Sequence, residues 1–271
     1  MDTMMPTHGK SQLLPDHAAA WALDGLGIDS GGLDSATPVR LRRLHDPASP
    51  GTRWPLKDDL WLWFGAQTGS QADLAACLSD AERDRAARFR FAQDRWSYTS
   101  AHAGLRQLLG RLLDEAPHRI TLHTLPGGKP GLCPVRYTAR RAAALQFSIS
   151  HSRGLVAVAV SGSPVGVDVE PIRPLADMEH MIARFMAPGV LTAFRAMRSP
   201  QDRMALFYRN WTLGEALVKA MGEVIGEGFG HFAFTPSDPA LLTAIPPLWG
   251  PVERWRLGQI EVGAESRARA A

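Results

Sequence analysis

Two short segments constrain this chain more than any others. Gly166-Val167-Asp168-Val169-Glu170 reads as a strand, because the stretch from Val158 to Val169 is rich in valine and broken by glycine and proline. Side chains at i and i+2 of a strand share a face. Asp168 and Glu170 therefore stand side by side, with Val167 and Val169 turned to the other face. About 40 residues later, Trp211-Thr212-Leu213-Gly214-Glu215-Ala216-Leu217-Val218-Lys219 reads as a helix on which Glu215 and Lys219, four apart, share a face. Three carboxylates and an ammonium converging from such elements suit a magnesium–phosphate site. Magnesium takes a few carboxylate oxygens and fills its shell with water and phosphate. Taken singly, the strand pair is also what an exposed acidic edge looks like, and the helix pair a solvated ion pair worth a few tenths of a kcal/mol.

The rest of the chain frames these segments. Leu60-Trp61-Leu62-Trp63-Phe64 predicts a strand, Asp73 to Phe91 a helix carrying Arg83, Arg85, Arg88 and Arg90, and Gln93 to Leu113 a second helix with Leu105, Leu108, Leu109 and Leu112 at helical spacing. Gly127-Gly128-Lys129-Pro130-Gly131 predicts a turn. Phe147 to Ser152 and Leu155 to Ser161 predict strands, residues 176–198 helical segments broken at Pro188-Gly189, and Gly230 to Val262 strands with proline-rich turns. The expected fold class is α+β, two halves facing each other. The expected division is an N-terminal extension, partly irregular, at 1–55, an N-terminal half at 56–163, a C-terminal half with the acidic motifs at 164–262, and a tail at 263–271.

A net charge of only +3 implies no dominant polyanionic partner, so neither nucleic acid nor a membrane surface is expected. Cys77 and Cys133 have no metal-ligand spacing, and two cysteines make no disulfide scaffold. No apolar run approaches the roughly 20 residues of a membrane helix, and the start lacks a basic region leading into an apolar run. A cytoplasmic location is the expectation.

Two further pieces gain weight from company. His151 ends a strand between Ser150 and Ser152, whose hydroxyls can donate to phosphate oxygens. Lys129 sits on a Gly-Lys-Pro turn, where proline limits the entropy lost on holding a ligand. The plain alternatives are a hydrogen-bonded histidine and a solvated lysine. The arginines from Arg83 to Arg90 either solvate a helix face or fork onto phosphate.

Taken in order, Gly128-Lys129-Pro130, Phe147-Ser148-Ile149-Ser150-His151-Ser152, Gly166 to Glu170 and Trp211 to Lys219 resemble the motifs of the 4′-phosphopantetheinyl transferases of the larger, single-chain, surfactin-synthetase-activating type, over about residues 58–235. The resemblance implies two similar α+β halves in a pseudo-twofold arrangement, with coenzyme A in the cleft between them. It implies that Asp168, Glu170 and Glu215 hold Mg2+ on the pyrophosphate, that Lys219 and His151 contact phosphates, that Lys129 and Ser150 lie near the adenosine end, and that Arg85 meets the 3′-phosphate. Three positions depart from the family pattern: Gly214 stands for a lysine, Glu82 for a basic residue and Ser148 for an asparagine. Restoring lysine at Gly214 is expected to raise activity or leave it level.

The implied reaction moves 4′-phosphopantetheine from coenzyme A to a serine of an apo acyl or peptidyl carrier protein and releases adenosine 3′,5′-bisphosphate. Such carrier proteins serve secondary metabolite biosynthesis in this family. Glu215 is the candidate base, with Lys219 and His151 as its catalytic companions. Asp168→Ala is expected to abolish transfer. The chain is expected to act as a monomer, with an apolar and basic partner surface across Met178 to Met197: Met181, Ile182, Phe185, Met186, Leu191 and Phe194 with Arg184 and Arg195. Two other classes stay open: a coenzyme A- or carrier-binding module with weak or no transfer, and a magnesium phosphohydrolase acting on nucleotides.

Overall fold

Capping and strand alternation set the element boundaries. The computed structural model describes residues 18–24, 40–44, 59–65, 70–125, 127–223, 229–236 and 240–261, with 18–24 and 40–44 described by their backbone. In chain order these are β1 (Ala18–Asp24), β2 (Arg40–Leu44), β3 (Asp59–Gly65), α1 (Gln71–Ala76), α2 (Asp80–Ala87), α3 (Ala92–Leu113), β4 (Leu122–Thr124), β5 (Pro130–Leu132), α4 (Ala139–Ala143), β6 (Gln146–Ser152), β7 (Leu155–Ser161) and β8 (Val165–Glu170). They continue as α5 (Met178–Phe185), α6 (Pro188–Ala196), α7 (Pro200–Met221), β9 (Ala233–Phe234), β10 (Leu242–Ala244) and β11 (Trp255–Glu261).

The helix expected from Asp73 to Phe91 is two helices. Ser79 starts the second: its hydroxyl accepts from the Glu82 N–H while the Glu82 carboxylate accepts from the Ser79 N–H. This reciprocal box satisfies two orphan N–H groups and makes a new start cheaper than continuation. Arginine-rich periodicity hid the break. Pro188 likewise opens α6 at its first turn, where its missing N–H costs nothing. The motif helix extends well ahead of Arg209, running for 22 residues from the Ser199 cap. Two strands, β1 and β2, lie in the segment expected as a loose extension; the rest of residues 1–55 falls outside the described residues. The ends of the chain beyond Glu261, including the expected tail, do so too.

The fold is α+β, as expected. One sheet runs β2-β3-β7-β6, antiparallel from β3 onward, and another runs β11-β1-β8, parallel throughout. The 22-residue α3 packs on β6 and β7, and the 22-residue α7 packs on β8 and β1. Leu105, Leu108, Leu109 and Leu112 of α3 meet Phe147, Val158 and Val160 in the first core. Val165, Val167 and Val169 of β8 meet Leu60, Leu62, Ala157 and Ala159 in a second, so the valine face of the motif strand is buried as its alternation predicts. A third core gathers α5, α6 and α7 around Phe207, Leu217 and Phe229. β6 lies against β8, yet among the described residues no backbone ladder joins them.

Candidate active site

β8 and α7 meet at unusually short range. A Cβ on Gly166 would lie 1.9 Å from the Ala216 carbonyl oxygen, so only glycine lets the strand cross the helix there. Lys129 fastens the crossing: its ammonium donates to the carbonyls of Val165 (2.9 Å) and Ala220 (3.4 Å). Burial pushes that ammonium down to about 8. Expected beside a ligand, Lys129 is instead bound to backbone at the strand–helix crossing.

The crossing brings Asp168 and Glu170 from β8 to Glu215 and Lys219 from α7. Asp168 is almost fully buried. Its Oδ1 accepts from Lys219 Nζ at 2.5 Å and from Ser150 Oγ at 2.7 Å, and Lys219 also donates to Ser150 at 3.0 Å. Its Oδ2 is buried without a partner. Ser152 Oγ donates to Glu170 at 2.8 Å. Burial raises the Glu170 carboxyl, with Asp168 adding to the rise and the Ser152 hydrogen bond and Lys219 opposing it. Burial, then the charges of Asp168 and Glu170, push Glu215 up to about 7 against the pull of Lys219. The Asp168 charge thus acts on both Glu170 and Glu215, and the Glu170 charge on Glu215. The three carboxylates stop short of full convergence: among the described residues no three His, Cys, Asp or Glu side chains gather closely enough to hold a metal ion.

Strand alternation sorts β6 into two functions. Ser148, Ser150 and Ser152 face β8, where Ser148 Oγ accepts from the Val167 N–H at 3.2 Å. Phe147 and Ile149 face α3, and His151 shares their parity. His151 accordingly meets the ring of Tyr98 edge-on at 6.5 Å. Burial pushes its imidazole down to about 4, helped by His102 and Lys219 and opposed by Asp94 and Asp168, so it is uncharged at neutral pH. Tyr98 also stacks on His102 at 4.0 Å and carries the Arg85 guanidinium 5.6 Å from its ring centre. The two flanking hydroxyls, expected as phosphate donors beside His151, donate here to Asp168 and Glu170.

Sequence reasoning gave Glu82 only as a departure from a family position. Its carboxylate accepts from His102 Nδ1 (3.0 Å), from Ser79 N (3.0 Å) and Ser79 Oγ (3.0 Å), and from Arg106 Nε. Arg106, almost fully buried, also donates to the carbonyls of Pro117 and Ile120. Burial alone would raise Glu82, but His102, the Ser79 N–H and Arg106 outweigh it and hold it at about 2. The Ser-x-x-Glu spacing was a readable signal for the helix start; nothing local announced Arg106 or Tyr98.

Gly214 has a packing role. A Cβ there would stand 2.4 Å from the buried ring of Phe229, which also packs on Trp211. A lysine at this position would require the Phe229 ring to move, so restoring it carries a packing cost that the sequence did not show. The expected partner surface is also mostly interior: Ile182, Met186 and Phe194 are core, and Met181, Phe185 and Leu191 pack against it.

Comparison with known proteins is consistent along most of this length. Residues 66–163 match the family described as 4′-phosphopantetheinyl transferase, N-terminal, and residues 164–257 match the 4′-phosphopantetheinyl transferase superfamily. The chain is 34% identical over 196 residues to the 4′-phosphopantetheinyl transferase HetI of Nostoc sp. strain PCC 7120, covering 70% of this chain and 81% of HetI. It is 28% identical to the 4′-phosphopantetheinyl transferase psf-1 of Bacillus pumilus, covering 61% of this chain and 67% of psf-1. It is 26% identical to the human L-aminoadipate-semialdehyde dehydrogenase-phosphopantetheinyl transferase, covering 68% of this chain and 59% of that enzyme. With the acidic strand, the motif helix and these matches in one register, the chain belongs to the 4′-phosphopantetheinyl transferase superfamily.

Proposed function

We propose that this transferase moves 4′-phosphopantetheine from coenzyme A to a serine hydroxyl of an apo acyl or peptidyl carrier protein. The observation that carries the reading is the buried, unpartnered Asp168 Oδ2 inside a group of two further carboxylates and Lys219. Buried polar atoms without partners are uncommon, and a bound water or ion is one way to satisfy them.

By donor chemistry these oxygens fit magnesium, and seating the ion would require the three carboxylates to draw closer than they stand here. A divalent cation would satisfy the orphaned oxygen and offset both the burial and the Asp168 charge that raise Glu170 and Glu215. Asp168, Glu170 and Glu215 are the residues that would hold it. Bound there, the ion supplies charge neutralisation for a pyrophosphate.

The chain's own groups account for the remaining chemistry. The carrier serine oxygen attacks the β-phosphorus of coenzyme A and forms a new O–P bond. The bond from that phosphorus to the bridging oxygen breaks, and adenosine 3′,5′-bisphosphate departs with the electron pair. Glu215 accepts the serine proton directly or through water. One of its oxygens serves as base, and the other would hold the cation. Lys219 turns its ammonium to the phosphate charge that develops. His151, uncharged, offers an N–H to a phosphate oxygen, and Arg85 beside Tyr98 is assigned to the 3′-phosphate. Ser150, bridging Lys219 and Asp168, stays at the coenzyme A side of this group. Lys129 supports the same subsite by holding the turn to β8 and α7.

The reading extends to a cytoplasmic monomer, divided at about residue 163 into two halves, that serves secondary metabolite biosynthesis. Among the described residues no helix is long and apolar enough to cross a membrane. The test is incubation with coenzyme A, Mg2+ and several apo carrier proteins, read by mass. A gain of one phosphopantetheine is the expected result. No gain on any carrier, with coenzyme A binding intact, would favour a binding module, and phosphate release without a carrier would favour a phosphohydrolase.

A further inference from the structure

The seam between β6 and β8 is closed by side chains in place of a ladder. Ser148, Ser150 and Ser152 stand at i, i+2 and i+4 on one face of β6 and reach Val167, Asp168 and Glu170 in turn. Two consecutive serines therefore deliver one hydroxyl proton each to two carboxylates at the same i, i+2 spacing on the facing strand. Ser150 is shared with Lys219. Among the described residues Ser152 has no such second duty in the site: its hydroxyl donates to Glu170 Oε2. A carboxylate with one oxygen tied by a donor has its plane fixed and its second oxygen directed elsewhere, which is how outer groups orient metal ligands.

We propose that Ser152 is a positioning residue for the transferase, fixing Glu170 so that its free oxygen faces the cation; the inference rests on the magnesium reading above. Glu170 lies at the end of β8, only partly buried, where its longer side chain has more rotamers to lose than Asp168. The Ser152 hydrogen bond removes that freedom before ligand arrives. Ser148, tied to a backbone N–H, holds the register on which the other two depend.

The experiment uses the full chain and Mn2+ alone as probe, followed by loss of the free-ion electron paramagnetic resonance signal. Wild type, Ser152→Ala, Ser152→Thr and Asp168→Ala are compared, with melting temperature and the Mg2+ dependence of transfer recorded for each. Ser152→Ala is expected to weaken Mn2+ binding by roughly tenfold and to raise the Mg2+ requirement of transfer, with melting little changed. Ser152→Thr, which keeps the hydroxyl, is expected to restore both. Mn2+ binding by Ser152→Ala equal to wild type, with binding lost in Asp168→Ala, would overturn the positioning role and leave the metal reading standing. Equal binding by Asp168→Ala and wild type, or none by wild type, would overturn the metal reading and this inference with it.

Discussion

Glu82, partly buried, and Asp168, almost fully buried, are both carboxylates in ion pairs, and they have opposite characters. Both oxygens of Glu82 have partners, drawn from α3 and from the Ser79 cap between α1 and α2. Asp168 has one oxygen gripped by Lys219 and Ser150 and the other with no partner. Around Glu82 the hydrogen bonds and Arg106 overcome desolvation and the charge is secure. Around Asp168 the neighbouring acids Glu170 and Glu215 are pushed up by burial and by the Asp168 charge, with Glu170 adding to the rise of Glu215. A satisfied buried charge holds a fold together, whereas an unsatisfied cluster is costly unless something else binds. The first is architecture and the second is a site waiting for counter-charge.

The comparison breaks most visibly at Glu82. Glu82→Ala strands Arg106 in the interior and is expected to cost about 3–5 kcal/mol in urea unfolding; a loss under about 1 kcal/mol would deny it a structural role. The same carboxylate gives an acid signature. Its pKa falls from 4.5 to about 2 on folding, so its stabilisation is complete above the unfolded value and is lost as pH drops through the folded one. Wild type should lose about 3 kcal/mol from this group between pH 4.5 and 2, and Glu82→Gln should flatten that part of the profile.

At the other pole, Asp168→Asn keeps an acceptor for Ser150 but removes the charge. Transfer is expected to fall by about a hundredfold, roughly 2.7 kcal/mol at the transition state, while the melting curve barely moves. Activity within a few-fold of wild type would show that the orphaned oxygen has no ligand. The smallest expected effect is steric. Gly214→Lys should destabilise by about 1–3 kcal/mol through overpacking against Phe229. Adding Phe229→Ala should recover part of the loss, and a melting temperature unchanged by Gly214→Lys alone would place the lysine outside the Phe229 contact.

The motif strand and motif helix were legible because both rest on short-range geometry. Two-residue and four-residue spacings place Asp168 with Glu170 and Glu215 with Lys219 whatever surrounds them. The break between α1 and α2 was legible in principle, since Ser79 and Glu82 announce a cap, yet the arginine periodicity concealed it. Phe229 was not legible: it contacts Gly214 from a loop beyond the helix C-terminus, and no pattern within the helix records which ring will fill the space above a glycine. The seam of serines was half legible, because the alternation was visible but not which strand would face it.

The amino-acid order alone determined the motif strand, the motif helix, the acidic face of β8 and the shared face of Glu215 and Lys219, since backbone periodicity needs no distant partner. Only the tertiary structure decided that Lys129 binds carbonyls, that Lys219 and Ser150 take one oxygen of Asp168, and that the other is left bare. Hydrogen-bond satisfaction depends on which groups, far apart in the chain, arrive within about 3 Å of one another, and that is settled by packing.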